Sequence, residues 1–323
     1  MQSNQVMHQA VPGAKSTAYV PKRQGLLHNL KRFWPLYVMA LPGFLFFILF
    51  RYVPLAGSVI AFQDYMVFKG IMESPWVGLK NFQAFFEYSN FWRVFSNTLF
   101  VGAYNLLFVF PFPILLALMF NEVGHMLYKR TLQTIYYIPH FFSWVIIAGI
   151  TFDVLSNNGI VNSLREWFGL EPILYLQEAR YFRGIVVLTS IWRDAGWGTI
   201  VLLAAIAGIN PEVYESARMD GAGRIRQIFS ITLPLIMPTV IVLFLLQIGR
   251  FLDLSFEQIY NLLTPMTYRV GDIIDTYVYR VGIVEGQYSA TTAIGIFQSL
   301  IGLVMVIVFN GLAKRYQQDG GLF

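Results

Sequence analysis

Residues Gln227-Ile-Phe-Ser-Ile-Thr-Leu-Pro-Leu-Ile-Met-Pro-Thr-Val-Ile-Val-Leu-Phe-Leu-Leu-Gln-Ile-Gly249 form a run of 23 residues without a single Asp, Glu, Lys or Arg. A bilayer core about 30 Å thick is crossed by roughly 20 mostly apolar residues as helix, so this run predicts a transmembrane helix. Working outward from it, four further stretches of 18 or more residues lack charge: Phe33–Phe50, Val94–Asn121, Thr131–Phe152 and Gly286–Ala313. A sixth, Gly184–Pro211, is interrupted only by Arg193–Asp194. The expected fold class is therefore an all-α integral membrane protein with six transmembrane helices. The whole composition agrees: of 323 residues, 56% are hydrophobic and 13% charged, whereas soluble domains carry about 25% charge. With no cysteine and four His scattered along the chain, thiol catalysis, disulfide frameworks and a His-based metal centre are excluded.

An even number of spans puts both termini on one side. The first 32 residues are polar and carry Lys15, Lys22, Arg23, Lys31 and Arg32, and they lead into a full-length span rather than a short signal core. Basic residues are retained in the cytoplasm. This assigns residues 1–32 as a cytoplasmic arm, 33–315 as the transmembrane domain and 316–323 as a cytoplasmic tail. The cytoplasmic segments then hold 12 Lys/Arg and 5 Asp/Glu, the remainder 11 and 13. Outside loops are expected at Gln63–Arg93, Asn157–Arg183 and about Asp253–Glu285. The middle one places Ile160, Leu164, Trp167 and Phe168 on one helical face. That pattern suits either a helix lying on the membrane surface or an ordinary loop helix. Pro35, Pro42, Pro54, Pro111 and Pro113 predict kinks in the first two spans. There is no internal repeat.

Immediately before the 23-residue run lies Asn210-Pro-Glu-Val-Tyr-Glu-Ser-Ala-Arg-Met-Asp-Gly-Ala-Gly-Arg-Ile-Arg226. Asn210 is an N-cap, Pro211 suits the first helical position and Glu212 complements the positive helix end. Gly221 and Gly223 permit a sharp reversal. A second, basic-faced segment with Arg224 and Arg226 returns to Pro234 and Pro238. Two spans can be joined by a few residues, so about 24 residues of helix, turn and helix (210–234) read as a docking knob.

This loop resembles the EAA motif of permease subunits in binding-protein-dependent ABC importers, where Glu-Ala-Ala is followed by Asp-Gly-Ala and then Thr-Leu-Pro. Here the matching residues are Glu215-Ser216-Ala217, Asp220-Gly221-Ala222 and Thr232-Leu233-Pro234, with Ser216 small like the usual Ala. Phe62-Gln63-Asp64-Tyr65, Val77–Phe82, Phe91-Trp92 and Asn97-Thr98 are similar to the family's segment leading into the second helix. The resemblance covers about residues 33–315. It implies the type I importer permease fold with a cytoplasmic coupling helix, in the bacterial inner membrane. The implied partners are a second permease, two ATPase subunits holding ATP and Mg, and an extracytoplasmic solute-binding protein. Within the loop, the resemblance implies that Glu215 pairs with a basic group on the ATPase. Ala217 and Gly221 would allow close approach beside Ser216, Arg218 and Ala222, and Asp220 would anchor the turn. The chain has no Gly-rich loop ending in Gly-Lys-Ser/Thr, so no cofactor or ATP site of its own is expected.

Polar residues within the spans mark a pathway or a structural pair. Trp192-Arg193-Asp194-Ala-Gly-Trp197 brackets charge with aromatic rings. That suits a sugar, whose apolar faces stack while its hydroxyls hydrogen-bond, and equally an interfacial segment with Arg snorkelling. As sequence neighbours, Arg193 and Asp194 are expected to diverge rather than neutralise each other. Tyr104, Asn105, Gln247 and Gln298 are further candidates for the lining, and Arg250 with Asp253 reads as a structural pair. His140, beside Pro139, reads as a structural hydrogen-bonder. The stretches Arg250–Pro265 and Asp275–Gly282 resemble the oligosaccharide branch, closest to permeases for uronate-containing glycans from pectin or alginate. Lys69, Lys80, Arg165, Arg180, Arg183, Arg269 and Arg280 outside would suit such a glycan, although acids are as abundant there. Glycerol phosphate or a peptide are the alternative solutes. A secondary transporter would show repeated halves, and an intramembrane enzyme a nucleophile–base or metal cluster; neither is visible.

Overall fold

The computed structural model describes residues 26–87, 90–252 and 254–316, with the backbone alone at 26–31, 313, 315 and 316. The basic arm residues Lys15, Lys22, Arg23 and Lys31, as well as Asp253, the side chain of Arg315 and most of the C-terminal tail, lie outside what is described. Secondary structure among the described residues is helical apart from one isolated bridge, Gln63–Trp76.

Among the described residues, six helical segments are long and apolar enough to cross a membrane: Arg32–Phe62, Phe91–Glu122, Trp144–Trp167, Ala179–Ala207, Arg224–Gly249 and Tyr288–Leu312. By backbone contacts the chain forms two compact units, Met1–Gly57 and Ser58–Phe323. The first is built on α1 (Leu26–Phe47), which kinks at Phe33 (φ −110°, ψ 19°) just before Pro35. Every side chain described from 32 to 56 is exposed, the condition of an apolar helix that has lipid for solvent.

In the second unit, α2 (Phe91–Tyr104) continues through a wide turn into α3 (Pro111–Glu122). The widened turn Asn105–Val109 ends two residues before Pro111, and Ile48–Tyr52 and Ile228–Thr232 stand the same way before Pro54 and Pro234. Proline cannot donate its own backbone bond, and its ring strikes the carbonyl four residues back. A local i→i+5 turn makes room for that ring and keeps the neighbouring carbonyls bonded, as at Phe110 N–H to Asn105 O, 2.9 Å.

The third expected span, Thr131–Phe152, is not continuous. Helix α4 (Met126–Tyr137) gives way to a tight turn, Ile138–Phe141, and α5 (Trp144–Leu155) starts afresh with Ser143 accepting from the Ile146 N–H. Pro139 is the cause, having no N–H with which to continue α4. Absence of charge gave the length of the stretch but not the break within it. Beyond α5, α6 (Ile160–Trp167) is the helix anticipated in the middle outer loop, with Ile160, Leu164, Trp167 and Phe168 all exposed.

Helix α7 (Ala179–Ala207) is the hub and packs most extensively against α3. A Cβ at Gly196 would lie 2.1 Å from the Tyr136 carbonyl oxygen, and one at Gly198 would lie 2.8 Å from Pro113. Such absent side chains let membrane helices approach backbone to backbone. After α7 come α8 (Pro211–Met219), α9 (Leu233–Gly249), α10 (Phe256–Leu262), α11 (Ile274–Val278) and α12 (Tyr288–Tyr316). One core cluster joins Ala117 and Leu118 of α3, Leu202 and Ile206 of α7, and Ile236 and Val240 of α9.

The segment expected as a third outside loop, about 253–285, is among the best-packed of the described residues. Leu254, Ile259, Leu262, Ile273, Ile274 and Tyr277 are buried in two core clusters with α2, α7 and α12. Buried polar groups pin it there. Asn97 donates to the carbonyls of Arg269 (3.2 Å) and Asp272 (3.0 Å), and Thr98 accepts from the Ile274 N–H at 2.9 Å. Gln258, 3% exposed, bonds Val186 O, Thr189 Oγ1 and Ser190 Oγ of α7.

Replacing Gly196 with Val is expected to destabilise the detergent-extracted protein by at least the 1–3 kcal/mol typical of overpacking. Gly149→Ala, where a Cβ meets nothing within 4 Å, should leave the thermal transition unchanged in the same assay.

Candidate functional sites: a polar cavity and a protruding loop

A cavity of about 660 Å³ opens within the second unit, between the α2–α3 turn, the Pro139 break, α7, α9 and the start of α10. Asn105 reaches it from the turn, Arg193, Asp194 and Trp197 from α7, and Gln247 from α9. Five of the eight candidates are thus brought together. The other three are not. Trp192 lines a separate, almost wholly apolar cavity of about 520 Å³ between α5 and α7. Tyr104 is turned to Phe108, with ring centroids 6.0 Å apart. Gln298 is a structural bond, donating to Leu252 O at 2.6 Å and Asp275 Oδ1 at 3.2 Å.

Arg193 and Asp194 do pair, at 3.0 Å between Nη1 and Oδ1, contrary to the expectation that sequence neighbours diverge. The helix turns their Cα–Cβ bonds apart, but the long Arg side chain reaches round. Asp194 Oδ1 is also 2.9 Å from His140 Nδ1. The His140 ring lies parallel to the Trp197 indole at 4.6 Å, while Arg193 sits over Trp144 and donates to Phe142 O. One carboxylate therefore organises a cation, an imidazole and two indoles into a wall both aromatic and polar. His140, Trp144, Ser190, Arg250, Ser255 and Gln258 complete the polar lining and were not anticipated there. The only signal for His140 was Pro139 next to it, since the helix break is what turns this residue inward.

Several outer basic residues have structural work. Arg180 pairs with Glu178 at 2.7 Å, Arg183 donates to Asn97 Oδ1 at 2.9 Å, and Arg165 donates to Glu171 O at 3.0 Å. Arg280 meets the buried Asp272 through both Nη atoms, at 3.3 and 2.8 Å, and that hydrogen bonding raises its already high pKa. Arg250 lines the cavity with no ion pair among the described residues, and its expected partner Asp253 is outside them.

The second site is the loop before α9. Asn210 Oδ1 accepts from the Glu212 N–H at 3.1 Å, so the expected N-cap is formed and Pro211 opens α8. The helix ends with Ala222 N–H on Ala217 O (2.9 Å) and Gly221 N–H on Arg218 O (3.0 Å). Gly221 has φ +77°. This pair of bonds around a left-handed glycine is the Schellman closure, which requires a residue free of a Cβ penalty. Backbone alone closes the turn, so the Asp220 carboxylate is not its anchor. Glu215 and Asp220 are both exposed, and their carboxylates make no hydrogen bond or ion pair among the described residues. The return segment is helical only over Arg224–Gln227 before the widened turn. Tyr214 Oη and the buried Thr232 Oγ1, 2.9 Å apart, tie α8 to the foot of α9.

Residues 109–318 match the family described as "Binding-protein-dependent transport system inner membrane component". The chain belongs to this permease family. The permease is 48% identical over 300 residues to the polygalacturonan/rhamnogalacturonan transport system permease protein YteP of Bacillus subtilis, covering 93% of this chain and 94% of that protein. It is 44% identical to Protein LplB of the same organism, over 97% and 99%. A chain of the bacterial alginate ABC transporter, crystallised with an alginate pentasaccharide-bound periplasmic protein, superimposes with a TM-score of 0.85 at 42% identity. That match covers 92% of the permease and all of that chain. The permease thus has the six-span ABC importer fold, and the protruding α8 loop lies inside the matched region.

In this permease, Trp197→Ala is expected to change the range of solutes taken up, because it removes the indole that stacks on His140. Trp192→Ala, outside the polar cavity, should leave that range as it is. Uptake competition with a panel of solutes distinguishes the two.

Proposed function

We propose that the permease forms half of an ATP-driven import path for an acidic, uronate-containing oligosaccharide. The supporting observation is its likeness, at 48% and 42% identity, to proteins whose names specify polygalacturonan and alginate. The cavity chemistry fits that reading: Arg193, Arg250 and His140 outnumber the single carboxylate Asp194 on its wall. Asn105 and Gln247 offer amides for hydroxyls, and Trp144 and Trp197 offer faces for sugar rings.

In this reading residues 33–315 are the transmembrane domain, and both termini are cytoplasmic. The other half-path is a second permease, and a solute-binding protein delivers the glycan from outside. Two ATPase subunits carry ATP and Mg. Helix α8 is the coupling helix, with Glu215 and Asp220 free to meet basic groups on an ATPase. Ser216, Ala217, Gly221 and Ala222 keep the contact close, and Arg218 bonds back to Tyr214 O.

Gly221→Asp should insert in the membrane normally yet abolish both uptake and stimulated ATP hydrolysis, because the left-handed turn tolerates a side chain poorly. Full transport by that variant would rule out the coupling role. The substrate reading is checked by measuring ATP hydrolysis of the reconstituted assembly against a glycan panel. Stimulation is expected with galacturonate or alginate oligomers, and stimulation by neutral oligosaccharides, glycerol phosphate or peptides alone would reject it.

A further inference from the structure

Beside the cavity, but outside it, the same helix presents a second surface. Ser255 and Gln258 at the start of α10 face the cavity, while on the adjacent flank Phe256 and Tyr260 stack with centroids 5.1 Å apart and planes at 26°. Tyr279 completes the group, its ring 5.1 Å from each of the other two. The base of this aromatic group is rigid. The buried carboxylate of Asp272 holds Arg280, the neighbour of Tyr279, and Arg280 in turn lies over Tyr268 at 5.2 Å.

Tyr260 is 49% and Tyr268 37% exposed. The phenol hydroxyls of Tyr260 and Tyr279 give this surface a polar edge beside its ring faces. The adjacent Tyr279, through its charge and a hydrogen bond, pushes the Tyr260 hydroxyl above the ordinary tyrosine range. Tyr260 therefore stays a neutral hydrogen-bonding group at physiological pH. Stacked rings edged with hydroxyls complement a pyranose, which has apolar C–H faces and a polar rim.

The size of the cavity supplies the reason for a second surface. At about 660 Å³ it falls within the 300–1,000 Å³ that encloses a single small ligand. An oligosaccharide longer than the cavity can hold must continue beyond it. We propose that Phe256, Tyr260 and Tyr279 form an extended subsite on which the projecting sugar rings of a long oligosaccharide stack while its leading end occupies the cavity. This rests on the reading of the permease as an oligosaccharide importer.

Dependence on substrate length separates this role from a merely structural one. The complete importer, reconstituted with its binding protein, is compared as wild type, Tyr260→Ala and Tyr260→Phe. The substrates are the shortest and the longest galacturonate oligomers that the wild type transports. One aromatic contact is worth about 0.5–1.5 kcal/mol, so Tyr260→Ala is expected to lower competition by the longest oligomer about two- to twelvefold. The shortest oligomer should be unaffected, and Tyr260→Phe, which keeps the ring, should restore most of the loss. Equal loss at both lengths, no loss at either, or departure of the second permease from the purified Tyr260→Ala assembly would overturn the subsite. The last result would make the surface a subunit interface. If the wild type transports no galacturonate oligomer but does transport other solutes, the substrate reading fails first and the subsite falls with it.

Discussion

Everything in the polar cavity depends on how closely α7 can pass its neighbours. At Gly196 and Gly198 it runs against the Tyr136 carbonyl and the Pro113 ring with no room for a methyl group. Those two glycines flank Trp197 and follow Arg193 and Asp194, so the contact that sets the depth of the helix also sets where the cavity's charge and indole sit. In lipid, association between helices gains little from the hydrophobic effect, and close packing with interhelical hydrogen bonds takes its place. The His140–Asp194–Arg193 group supplies those bonds at the same level of the fold.

The same economy governs the segment after α9. Its buried Gln258, Asp272, Thr276 and Ile274 N–H are all bonded within the chain. This allows a stretch with several short helices to pack inside the bundle rather than trail outside it. One flank of α10 thereby becomes cavity wall, and the other packs Phe256 and the exposed Tyr260 against Tyr279. Helix α9 links this region to the opposite end of the molecule. From Thr232, which meets Tyr214 of the protruding loop, to Gln247 at the cavity is 15 residues, or about 22 Å of helix. Helix α9, with Pro238 inside it, thus runs from the loop to the cavity wall. The widened turn at Ile228–Thr232 sits at the foot of that element, where Pro234 loosens the hydrogen-bond ladder.

Legibility followed the range of the interaction. The cap at Asn210, the helix from Pro211 and the reversal at Gly221 could be read directly, because each is decided by neighbours within a few residues. The amphipathic helix at Ile160–Trp167 was legible for the same reason. What misled was treating length without charge as continuity, which missed the break at Pro139; the close packing of residues 253–285 was not announced by their composition. Asn97 and Thr98 were noticed only for their likeness to a family segment. Their work is to bond the backbone of residues 269–274 across more than 170 positions of sequence, and no local pattern announces such a pairing.

Sequence by itself determined the solvent, the number of spans and the capped helix and turn before α9, because hydrophobic runs, caps and glycine turns are local properties of the chain. Only the tertiary structure decided which polar residues share a cavity. Trp192 and Trp197 read identically along the chain, yet five residues of helix rotation send one to an apolar groove and the other to the polar site. That choice is made by the neighbour each side chain meets. For α7 it was fixed by two glycines and by a proline in a different helix.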